Sequence, residues 1–132
     1  MSITYKIDGN RRIVFTAMAG ALSFRQLVAQ AVALQSDPRF HSSFCELVDV
    51  RGVTESDLSF REMVELAQTI DPFSPAARRA IVAGSELMYG TSRMYQSILD
   101  DESNIQVFRT MEEAREWLDI TSDSDLADRQ SA

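Results

Sequence analysis

The sequence predicts an α/β fold built as a single domain, in the order β-β-α-β-α-β-α-β-α, with a mostly parallel five-stranded sheet and an antiparallel first strand. Three observations carry this. Segments with alternating or continuous apolar residues take turns with segments of helical period, the signature of strands joined by helical crossovers. Three of the helical segments open on a hydroxyl residue with Gln or Glu three positions later, at Ser23–Gln26, Ser59–Glu62 and Thr110–Glu113, the spacing of a capping box. The first two strands are separated only by a short turn sequence, which permits a hairpin and no crossover.

In chain order, Ile3, Tyr5 and Ile7 alternate with Thr4 and Lys6 as in a half-buried strand, and Asp8-Gly9-Asn10 turns the chain into a second strand from Arg12 to Met18. Ile13-Val14-Phe15 in succession suits a strand covered on both faces. After Gly20 and the Ser23 cap, Phe24, Leu27, Val28, Ala31 and Leu34 recur at helical spacing until Asp37-Pro38 stops the helix. Phe44 to Val50 forms the third, central strand, which is expected to enter a tight turn before the helix on Phe60, Met63, Val64, Ala67 and Ile70. Asp71-Pro72 ends that helix, and Ser74-Pro75-Ala76-Ala77 reads as a short helical turn feeding a fourth strand from Arg79 to Ala83. Gly84-Ser85 leads to a third helix on Leu87, Met88, Thr91, Met94, Tyr95 and Ile98; Ile105 to Arg109 is the fifth strand, and the last helix carries Met111, Ala114, Trp117 and Leu118. Residues 1–120 form the domain and 121–132 a polar, acidic tail. Lys6, Glu46 and Gln106, polar residues inside strands, imply that part of one sheet face is solvated or meets a partner.

Composition narrows the function. A chain of 132 residues buries enough surface to fold without metal or disulfide, and its one cysteine forms no internal disulfide. No apolar run reaches the ~18 residues of a membrane span, and the start of the chain lacks the pattern of a secretory signal. The expected setting is cytoplasmic. A net charge of −7 repels phosphate backbones and anionic lipids, so neither nucleic acid nor membrane is an expected partner.

The stretch FCELVDVRGVTESDLS resembles the strand and turn of STAS domains, the sulphate-transporter and anti-sigma-factor-antagonist group. With the strand and capped helix VFRTMEEAREWL, the chain from about Ile3 to Ile120 resembles the SpoIIAA-like branch. The resemblance implies a small β/α fold wound as a superhelix, no cofactor, and a role in protein recognition or small-ligand binding. Anti-sigma antagonists carry an acid and then a phosphorylatable serine after this strand. Here the acid corresponds to Asp57, but Leu58 occupies the acceptor position and Phe60 that of a glycine. Leucine cannot accept phosphate; Ser56 or Ser59 would be a shifted acceptor, and Ser59 already serves as a helix cap.

Ligands of open parallel sheets sit outside the carboxyl ends of the strands. Asp49, Arg51, Gly52, Ser56, Gly84, Ser85, Glu86, Arg109 and Thr110 are assigned to that edge, where turn and cap geometry alone would also require such residues. Receiver-type phosphorylation at Asp49 lacks the acidic pair that would hold magnesium. His41 precedes the third strand and lies at the opposite edge, which removes a Ser-His site, while one His and one Cys do not make a zinc site. Tyr89 and Met94 exceed what the helical core face of the third helix needs, and offer an adaptable groove or dimer contact.

Three functions follow. The first is a non-enzymatic regulatory module that binds another protein or itself, with a homodimer as the expected state. The second binds or senses a small, partly apolar ligand at the strand ends and third helix. The third is an enzyme using Asp49 or Asp57 as acid or base. Asp49, Arg51, Ser56, Asp57, Ser59, Ser85, Glu86, Tyr89 and Met94 are the candidate binding residues, with no metal and no cofactor.

Overall fold

The structure, a computed structural model, describes residues 2–99 and 104–120. The expected tail, 121–132, lies outside the described residues. The strands are β1 (Ser2–Asp8), β2 (Ile13–Leu22), β3 (Cys45–Ser56), β4 (Arg78–Val82) and β5 (Asn104–Phe108). The helices are α1 (Phe24–Ser36), α2 (Phe60–Glu65), α3 (Glu86–Ile98) and α4 (Met111–Leu118), and α2 continues directly into a π-helical segment, Leu66–Ile70. The sheet runs in sequential order from β1 to β5, with β1 antiparallel to β2 and every other pair parallel. This is the α/β arrangement the sequence predicts.

Helix caps fix where each crossover begins. Ser59 accepts from the Glu62 amide while the Glu62 carboxylate accepts from the Ser59 amide, a reciprocal box. Ser23, Ser85 and Thr110 each cap their helices through an amide three residues on. These bonds satisfy donors that a helix start otherwise leaves orphaned.

The three crossovers cover one face of the sheet. There Val48, Val50 and Ile81 pack with Leu22 and Met88, joined by Leu27, Leu58 and Tyr95 from the helical side, and Ile7, Val14, Leu34, Phe44 and Phe73 close the lower end. α4 returns to the opposite face, where Ala114 and Leu118 meet Ile13, Leu47, Ala80 and Val82. Arg78 clamps α4 in place, stacking 4.5 Å from the centroid of the Trp117 ring and donating to the Trp117 carbonyl. The eight residues of α4 lie over β3, β4 and β5, and over β1 and β2 on that side Thr4, Lys6 and Ala17 are exposed.

Several local expectations change. β3 does not turn after Val50. It runs to Ser56, because β2 keeps pairing with it across two register shifts, Ala19 and Gly20 after the first and Ala21 and Leu22 after the second. Gly52 permits that pairing: a Cβ there would stand 3.0 Å from the Ala19 Cβ and 3.1 Å from the Met18 carbonyl oxygen. Gly20 does not end β2 but sits inside it at φ 84°, a left-handed conformation suited to glycine, beside the second shift. Ser74 to Ala77 is a turn without helix. Of the three polar strand residues expected to mark a solvated face, Lys6 and Gln106 are exposed, but Glu46 is buried. Glu46 faces the helices because β3 alternates, placing it with Val48 and Val50 on the covered side, and the register pairs it with Arg79.

Candidate functional site

The expected carboxyl-edge site divides into two places. β4 hands the chain to α3 on one face and β5 hands it to α4 on the other, so the connections diverge, the geometry that leaves a crevice in an open sheet. Arg109 occupies it. Its guanidinium donates to Glu86 at 2.8 Å and lies 3.9 Å from the Tyr89 ring centroid. Ser85 beside it is committed to capping α3. The stem of Arg51 passes against Gly84, where an added Cβ would lie 3.4 Å from the Arg51 Cγ, so Arg51, Gly84, Glu86, Tyr89 and Arg109 form one neighbourhood. Asp49 joins through Arg51, with two side-chain hydrogen bonds at 2.9 Å and an amide bond at 3.0 Å. Burial pushes the Asp49 carboxyl up, but these bonds and the adjacent guanidinium outweigh it and hold it below the ordinary carboxylate range.

Ser56, Asp57 and Ser59 stand apart from that neighbourhood. The extended continuation of β3 carries Ser56 roughly 16 Å along the strand from Arg51. Ser56 accepts from the Leu58 amide, Leu58 packs onto the core, and Ser59 is held in its capping box. Met94 lies on the outer surface of α3, 46% exposed.

A second constellation lies under the helices, and sequence reasoning missed it. Val14, Glu46, Arg79 and Ile105 align across four strands. Arg79 donates to Glu46 at 3.3 Å and to Asp71 at 2.6 Å, Thr16 donates to Glu46 at 3.0 Å, and Tyr95 donates to Asp71 at 2.8 Å. Burial raises the Glu46 carboxyl despite the opposing pull of Arg79. Burial works against the Arg79 charge, but Asp71 and Glu46 overcome it and raise its pKa. Burial, followed by the charge of Asp71, also raises the Tyr95 hydroxyl, so it stays protonated and can donate. A cavity of about 140 Å³ adjoins this cluster and is lined by residues of the sheet, α1, the π-helical segment and α3. Arg79 stands at the start of β4, yet its side chain is enclosed. The usable signal was a lone acid alternating with Val48 and Val50, facing a basic residue at the same depth of the next parallel strand.

The uncovered portion of the α4 face forms a third feature. Two cross-strand rows, Thr4–Ala17–Asp49 and Lys6–Phe15–Leu47, run side by side. With Met111 and Arg115 of α4 as its wall, they line an open trough of about 470 Å³.

No protein-family model and no curated protein matches the chain. Among solved structures, it is similar to an uncharacterized protein from Shewanella loihica PV-4, of the DUF3478 family with a SpoIIAA-like fold. The identity is 16% and the TM-score 0.59, over 89% of this chain and 92% of that one. It is also similar to the anti-sigma factor antagonist SpoIIAA in its unphosphorylated form, at 14% identity and TM-score 0.49, over 89% of this chain and 96% of that one. The chain therefore has a STAS-type, SpoIIAA-like fold. Among the described residues, no helix is long and apolar enough to cross a membrane.

Proposed function

We propose that this is a non-enzymatic regulatory module that works by self-association, pairing two chains across the trough beside α4. The trough carries the reading. Phe15, Ala17 and Met111 provide its apolar floor and wall, Lys6 stands on the β1 side and Asp49 on the β3 side. A two-fold interface brings the same patch of both chains together, so opposite charges on opposite sides of an apolar strip are self-complementary: Lys6 of one copy meets Asp49 of the other. Asp49 is held ionised by Arg51, which suits a charge partner and opposes use as a general base. The single free cysteine, Cys45, fits work in the reducing cytoplasm.

Charge reversal tests the pairing. Lys6→Glu alone and Asp49→Lys alone should each weaken the dimer on size-exclusion chromatography at least tenfold in concentration, and the double variant should restore it. Dimers indifferent to both single changes would place the interface elsewhere.

A further inference from the structure

We infer that the cavity beneath the helices is a binding site for a small, neutral, largely apolar molecule carrying one hydrogen-bond acceptor, which Gln30 receives. This goes beyond the pairing proposed above and involves the other face of the sheet.

Size, polarity and one unmet hydrogen bond specify the ligand. The cavity measures about 140 Å³, with Leu27, Val48, Met63, Leu66, Ile81 and Met88 among its walls. Apolar cavities of about 150 Å³ accept a molecule the size of benzene. Its charged end holds two carboxylates, Glu46 and Asp71, around one guanidinium, Arg79. That excess of negative charge opposes an anion, while a cation would lose hydration against the apolar walls. Gln30 lines the same cavity, and its Nε2 is buried without a hydrogen-bond partner. A buried donor left unpaired costs about 1–3 kcal/mol, and a ligand carbonyl or ether oxygen would remove that cost.

The helix bordering the cavity carries a second mark of a site. α2 widens into the π-helical segment at Leu66, and the Asp71 amide bonds back to the Leu66 carbonyl at 2.8 Å. Leu66 and Ile70 line the cavity and Asp71 supplies one of its carboxylates. A π-helical turn inside a helix recurs at functional sites, and this one sets apolar wall and charged end together. A wider opening of about 380 Å³, bordered by Ala67, Pro75 and Ile98, adjoins the cavity and shares Asp71, Phe73 and Arg79 with it.

Methionine methyl NMR on the full chain tests this, because Met18, Met63 and Met88 line the cavity while Met94 and Met111 do not. Three probes are titrated: cyclohexanone, cyclohexane as its counterpart without an acceptor, and cyclohexanecarboxylate. Cyclohexanone should shift the three cavity methyls saturably, leave Met94 and Met111 in place, and bind about tenfold more tightly than cyclohexane, the difference one hydrogen bond makes. The carboxylate should shift none of them. Gln30→Leu should erase the preference for the ketone, and Ala31→Phe, which fills the cavity from α1, should abolish the shifts. No saturable shift, equal movement of all five methyls, or an undiminished ketone preference in Gln30→Leu would overturn the inference. The comparison of ketone with hydrocarbon on the unmodified protein decides it even where a variant fails to fold.

Discussion

Replacing Arg79 with methionine keeps an unbranched stem but removes the guanidinium, and so leaves Glu46 and Asp71 in the interior without their shared counter-ion. In the intact protein Arg79 lies 2.6 Å from Asp71, 3.3 Å from Glu46 and 4.5 Å from the centroid of the Phe73 ring. Breaking a buried pair by removing one partner costs about 3–5 kcal/mol, a large part of the roughly 5–15 kcal/mol that holds a domain folded. With a urea dependence of about 2 kcal/mol per molar, the unfolding midpoint should fall by roughly 2 M. The fluorescence of Trp117, the chain's one tryptophan, and far-UV circular dichroism report that midpoint. Two signatures separate this mechanism from simple loss of packing. The deficit of Arg79→Met should shrink as pH is lowered toward 5, because the stranded Glu46 carboxyl, already raised by burial, can then take up a proton. Glu46→Gln should be less damaging in the Arg79→Met background than in the native one, with a coupling of at least about 0.5 kcal/mol. A loss below about 1 kcal/mol, unchanged between pH 5 and 7, would refute the buried-charge reasoning.

Other perturbations have equally definite outcomes. Burial raises the Glu46 pKa, so this group contributes stability below its unfolded pKa that is lost as pH rises through its folded one; Glu46→Gln should remove that decline, visible in urea midpoints from pH 4 to 8. Asp49 has the opposite sign: its pKa is lowered, and its contribution disappears as pH falls through that lowered value, so the gap between the native protein and Asp49→Asn should close in acid. The exposed Asp49–Arg51 pair makes that gap small, up to about 1 kcal/mol at neutral pH. Gly52→Ala forces a Cβ against Ala19 and the Met18 carbonyl and should cost about 1–3 kcal/mol in thermal unfolding. Ser59→Ala removes the reciprocal cap of α2 and should cost about 1 kcal/mol by the same measurement.

The fold was legible because its signals are local. Ile3, Tyr5 and Ile7 alternate as a strand must, and the Ser59, Ser85 and Thr110 caps lie where their helices begin. The full length of β3 was hidden because Arg51-Gly52 has the composition of a turn, while the force that keeps it extended is pairing with β2, distant in sequence. The carboxyl-edge residues were partly legible: Glu86, Tyr89 and Arg109 do meet, but the extra length of β3 carries Ser56 away from Arg51. The buried cluster was illegible to periodicity alone. Glu46 and Arg79 are 33 positions apart, and either residue taken singly belongs at a surface; only the register of two parallel strands shows that each neutralises the other. Asp71 read as a helix stop, which it is, and its second role depends on Tyr95 arriving from α3.

Native mass spectrometry of the full chain, transferred from a neutral volatile buffer at micromolar concentration, bears most directly on the proposed self-association. Two chains of 14.8 kDa should travel together, and Lys6→Glu should shift the population to single chains. A native protein that remains a single chain throughout that concentration range would contradict it.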